Sequence, residues 1–93
     1  MEGQSISIQA IINPISGVGS KRKIPKMIER AFARENCSVE ISFTEYPGHA
    51  SELTRQAIDK GVNCVIAVGG DGTVNEIARA MIHSDAVLGI IPK

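Results

Sequence analysis

Apolar positions along this chain follow two alternating periods, and their alternation predicts the elements in order. Ser5 to Ile12 reads Ser-Ile-Ser-Ile-Gln-Ala-Ile-Ile, alternating and then continuously apolar, which predicts a strand that stops at the turn-forming pair Asn13-Pro14. From Ser20 the spacing changes. Ile24, Met27, Ile28, Ala31 and Phe32 fall at i, i+3, i+4, i+7 and i+8, one face of a helix that runs to Glu35 or Asn36. Val39, Ile41 and Phe43 alternate with polar partners and predict a second strand, which gives way to the turn Thr44-Glu45-Tyr46-Pro47-Gly48. A second helical stripe, Ala50, Leu53, Ala57 and Ile58, closes at Gly61, a residue suited to the C′ position. Val62 to Val68 contains the unbroken apolar run Cys64-Val65-Ile66-Ala67, the mark of a strand covered on both faces and so of the centre of a sheet. Val74, Ile77, Ala78, Met81 and Ile82 repeat the helical spacing, and Ala86 to Ile91 is a further buried-type strand with Pro92 at its end.

Strand, helix, strand, helix, strand, helix, strand predicts an α/β fold, an open and mostly parallel sheet with right-handed crossovers. Such sheets bind ligands beyond the carboxyl ends of their strands. The loops to read for chemistry are therefore those that follow strands.

Composition narrows the field. With 93 residues, 43% hydrophobic and 22% charged, the chain has the make-up of one globular domain and not of a disordered segment. Formal net charge is zero and Phe32, Phe43 and Tyr46 are the only aromatics, so neither a basic field nor a set of stacking platforms invites nucleic acid. Cys37 and Cys64 stand apart without a C-x-x-C or a nearby His pair, which predicts free thiols in a reducing compartment and no metal knuckle. No basic segment leading into a long apolar run opens the chain, and no apolar stretch is long enough to span a bilayer. The expectation is a cytoplasmic protein.

Among the strand-end loops, Gly69-Gly70-Asp71-Gly72-Thr73 carries the most chemistry. Glycines let backbone approach a ligand closely, and the helix that follows presents unpaired N–H groups at the positive end of its dipole, which together make a phosphate cradle. No Lys follows the glycines, as a Walker A loop requires, and Asn75 stands where G-x-G-x-x-G needs its third Gly, so the two common nucleotide loops are excluded. Asp71 is the informative residue. A carboxylate among phosphate oxygens is repelled unless a cation or a transferred proton stands between them, which points to catalysis or Mg²⁺. The competing reading makes Asp71 a helix cap and the glycines a tight turn.

Two other loops add to this. Asn13-Pro14-Ile15-Ser16-Gly17 offers donors from Asn13 and Ser16 with room at Gly17, although the same pairs serve plain turns. Thr44 places a hydroxyl at the second strand end, and His49 serves as a phosphate donor or, the reading favoured here, as a structural cap at the start of the second helix. Glu76, one turn into the third helix, serves equally as a ribose ligand or as a first-turn acid. Lys21, Arg22, Lys23 and Lys26 read as a solvated basic face.

Taken in order, Asn13-Pro14-x-Ser16-Gly17, Thr44-x-x-x-Gly48-His49-Ala50 and Gly69-Gly70-Asp71-Gly72-Thr73-Val74-Asn75-Glu76 resemble the catalytic domain of the diacylglycerol, sphingosine and ceramide kinases. The resemblance implies the N-terminal lobe shared by diacylglycerol kinases and NAD kinases, with residues 1–93 as an ATP-binding half. It implies that Asn13, Pro14, Ser16 and Gly17 lie near the nucleotide and Thr44 beside its phosphates. Gly69, Gly70, Gly72, Thr73 and Asn75 belong to the phosphate loop, with Glu76 close to the ribose. Asp71 is the catalytic candidate in the Mg²⁺ and proton network at the γ-phosphate of ATP, and no further metal ligand is carried over. The implied acceptor is a lipid hydroxyl reached at the membrane surface through a β-rich second domain outside this sequence, so activity of the 93 residues alone is not expected. The alternatives are an NAD kinase lobe and a non-catalytic nucleotide-binding module of flavodoxin-like shape. An unpaired edge on an incomplete sheet also favours oligomers.

Overall fold

A computed structural model describes residues 5–14 and 20–92. Its elements alternate as the pattern predicts: β1 (Ile6–Ile12), α1 (Ser20–Ala31), β2 (Cys37–Phe43), α2 (His49–Lys60), β3 (Cys64–Gly69), α3 (Asp71–Ala80) and β4 (Val87–Pro92). The four strands form one sheet in the order β2-β1-β3-β4, with every pairing parallel. Parallel neighbours must be joined by crossovers, and the three helices are those crossovers.

Alternation along the two inner strands builds a core on each face of the sheet. On one side Ile8, Ala10 and Ile12 of β1 and Ile66 and Val68 of β3 are buried with Ile28 of α1, and Ile24 and Phe32 pack against them. On the other, Ile11, Val65 and Ala67 meet Ala50 of α2 together with Ile77 and Met81 from α3 and its end. One helix therefore covers one face and two cover the other. The chain changes direction between β1 and β3, the switch point at which open α/β sheets bind ligands.

The departures from the predicted pattern have separate causes: the limited width of the α1 footprint on the sheet, the edge position of β4 and the end of α3. α1 ends at Ala31, and its buried stripe is Ile24, Ile28 and Phe32, while Met27 is 49% exposed and Ala31 also faces outward. β4 lies at the sheet edge, so Val87 and Ile90, expected inside, are exposed. Ile82 lies past the end of α3 and is exposed too. Gly61 takes the left-handed conformation at the end of α2 (φ 86), and its N–H reaches the carbonyls of Ala57 and Ile58. Both cysteines are free; burial, and then Cys37 nearby, pushes the Cys64 thiol above its ordinary pKa. No helix among the described residues is long and apolar enough to cross a membrane.

Candidate functional site

The carboxyl ends of the strands are nearly level, because Ile12 pairs with both Phe43 and Val68, and Val68 pairs with Ile91. The loops that leave this rim are tied to one another by backbone. Asn13 N–H donates to the Val68 carbonyl at 2.9 Å, and Thr44 N–H donates to the Ile12 carbonyl at 2.8 Å. Register alone thus brings three loops, far apart in sequence, to one place.

α3 begins there. Its N-cap is Gly70, in an extended conformation and without a side chain to cap the helix, and Asp71 is the first helical residue. The reading of Asp71 as a cap thus finds no support, since the cap position belongs to its neighbour. The opening amides of α3 have no partner within the helix, and the dipole makes that end attractive to anions. Gly70, Asp71 and Gly72 are all exposed. A Cβ built on Gly70 or Gly72 would meet no atom within 4 Å, so packing within the described protein does not require glycine at either position. Gly69 is different. A Cβ there would lie 2.9 Å from Thr73 Oγ1 and 3.3 Å from the Asn13 Cβ, so this glycine lets the first and third loops pack together. The buried Thr73 hydroxyl accepts from Asn13 Nδ2 at 3.2 Å and completes that junction.

Beside the junction is a cavity of about 210 Å³ lined by Asn13, Thr44, Glu45, Tyr46, Pro47, Ala50, Thr73 and Glu76. Four of these, Asn13, Thr44, Thr73 and Glu76, are residues that the sequence singles out. Gly69 to Gly72 adjoin them through Thr73, and Pro14 follows Asn13, half-buried. Asn75 is exposed on α3 and does not line the cavity. Ser16 and Gly17 lie outside the described residues. The wall formed by Tyr46, Pro47 and Ala50 was not legible as a site. Its sequence signals are Ala50, the last position of the second-loop motif, and the chain's only tyrosine, lying in a strand-to-helix loop.

That loop is held by its own contacts. The Tyr46 and His49 rings stack with centroids 4.3 Å apart, and Glu45 N–H donates to His49 Nδ1 at 3.0 Å, which supports the structural reading of His49. Tyr46 donates its hydroxyl to Glu52 Oε1 at 2.7 Å, and this bond is the main cause that holds the phenol above its ordinary pKa. Glu76 accepts two backbone N–H groups, from Gly48 and from Ser51, both at 3.3 Å. No group of three His, Cys, Asp or Glu side chains suited to a metal occurs among the described residues.

The start of α3 and the ends of β1 and β2 thus lie together at one rim of the sheet. Residues 7–93 match the model of the diacylglycerol kinase catalytic domain. The chain belongs to that family. It is 35% identical over 77 residues to sphingoid long chain base kinase 5 of Saccharomyces cerevisiae, covering 81% of this chain and 11% of that protein. It is 30% identical over 81 residues to a ceramide kinase of Arabidopsis thaliana, covering 84% of this chain and 13% of that one. In structure it superposes on a diacylglycerol kinase from Bacillus anthracis with a TM-score of 0.78 and 25% identity, over 98% of this chain and 34% of that chain. The chain thus spans roughly a tenth of these two relatives and a third of the solved structure.

Proposed function

We propose that this chain is the ATP-binding part of a lipid kinase that transfers the γ-phosphoryl group of ATP to a lipid hydroxyl. The observation that carries this reading is the start of α3, where an uncapped helix N-terminus faces the switch point and the glycines at 70 and 72 leave their Cβ space open. Phosphate oxygens fit that opening. Backbone N–H groups come within reach of them, and the dipole adds roughly 0.3–1 kcal/mol for an anion at an exposed helix end. Thr44 and Asn13 frame the cavity that continues from the cradle, with Thr44 beside the phosphates and Asn13 near the nucleotide in this reading.

ATP would supply the phosphoryl group, and Mg²⁺ would neutralise the charge that develops on it. Asp71 is exposed at the mouth of the cradle, the position from which its carboxylate would hold a phosphate-bound cation or take up a proton. This chain offers Mg²⁺ no cage of its own among the described residues, so the ion would be held largely by the phosphates. The contribution of these residues is positioning and charge neutralisation. The acceptor lipid would be bound outside residues 1–93, at a membrane surface.

Calorimetric titration of the chain with ATP in Mg²⁺, and separately with NAD, tests the nucleotide. Binding of ATP in preference to NAD is expected. Equal or tighter binding of NAD would move the chain to the NAD kinase reading.

A further inference from the structure

Glu76 sits near the middle of α3, yet its carboxylate serves another helix. Oε2 accepts the Gly48 N–H and Oε1 accepts the Ser51 N–H, each at 3.3 Å. Gly48 is the N-cap of α2, in the left-handed region at φ 89, and has no side chain to bond the first amides of that helix. Ser51 is three residues further on. In a capping box the N-cap side chain accepts from the third helical residue, and that residue's side chain accepts from the N-cap amide. Glu76 performs both halves of this exchange from a different element.

The location gives the cap its consequence. Gly48 closes the loop that carries Thr44, Tyr46 and Pro47, three residues of the cavity wall, while α3 begins with the phosphate cradle. The carboxylate therefore joins the second strand-end loop to the helix that carries the third. Asn13 already joins the first loop to the third through Thr73.

We propose that Glu76 is a positioning residue, which by capping α2 from α3 sets the cavity wall at residues 44–47 against the cradle at residues 70–73. The ligand gains a preorganised cleft, with Glu76 acting through the loop. The inference rests on the nucleotide reading of this site and deepens it, and its test separates the two.

Glu76→Ala and Glu76→Gln in the full chain are compared with wild type by amide hydrogen exchange without ligand and by Mg-ATP titration. Glu76→Ala is expected to speed exchange at Gly48 and Ser51 by about tenfold as the cap is lost. It is also expected to weaken Mg-ATP by about tenfold, equivalent to ~1.4 kcal/mol. Glu76→Gln keeps one acceptor oxygen and should fall between wild type and Ala on both measures. If exchange at Gly48 and Ser51 stays at the wild-type rate in Glu76→Ala, the proposal is overturned. Faster exchange with unchanged Mg-ATP affinity overturns it as well. Complete loss of affinity in Glu76→Gln with undisturbed exchange would mean direct contact with the nucleotide, and that also overturns it. A wild-type chain that ignores Mg-ATP would defeat the nucleotide reading instead, and the exchange rates would still decide whether Glu76 caps α2.

Discussion

Residues 69 and 72 belong to one glycine-rich run but have different reasons to lack a side chain. Gly69 is a contact, because a Cβ there would press on Thr73 and Asn13. Gly72 lies in the first turn of α3 with open space around it, where the protein alone would be served as well or better by Ala. The two Ala variants should therefore part company. Gly69→Ala is expected to lose about 1–3 kcal/mol of stability through overpacking. Gly72→Ala is expected to be neutral or up to ~1 kcal/mol more stable, following helix propensity, while it weakens Mg-ATP binding. Denaturant melts of both variants, paired with titration, check this, and a Gly72→Ala chain that binds Mg-ATP like wild type would count against a phosphate over that amide.

The elements were the most legible part of the sequence. Seven of them appear in the predicted order, because each strand run and helical stripe carries its own period, and the three strand-end loops were found because their polar and glycine residues interrupt that period. What the sequence did not carry is the width of the helix footprint. A helical stripe shows which residues share a face, not how much of that face touches the sheet, so Met27 was placed inside with Ile28. Their side chains now predict opposite outcomes. Ile28→Ala, at a residue 1% exposed, should cost about 2–5 kcal/mol in a denaturant melt, and Met27→Ala should stay within ~0.5 kcal/mol of wild type. Equal losses would put α1 on the sheet in a different rotation. The role of Glu76 was hidden for a related reason. Its two backbone partners lie 28 and 25 residues away at the start of another helix, a distance that no local motif reports.

At the scale of the whole molecule, the sheet turns local chemistry into a site. Pairing in the order β2-β1-β3-β4 brings the ends of β1, β2 and β3 side by side, so Asn13, Thr44 and Gly69 to Thr73 converge although sixty residues of chain separate the first from the last. The described cavity of about 210 Å³ is smaller than the roughly 300–1,000 Å³ of an ordinary small-molecule pocket, and its wall is largely polar or loop-derived. In the proposed division of labour this chain presents the phosphoryl donor and the lipid is held elsewhere. Asp71 is where that account is most exposed. The decisive measurement is the turnover of Asp71→Asn in the enzyme that carries this chain, with labelled ATP, Mg²⁺ and mixed micelles of diacylglycerol or a sphingoid base, alongside circular dichroism to verify the fold. Loss of turnover by at least ~100-fold with the fold intact is the predicted result. Near-normal turnover would reduce Asp71 to an ordinary first-turn acid and contradict the proposed role of the cradle in phosphoryl transfer.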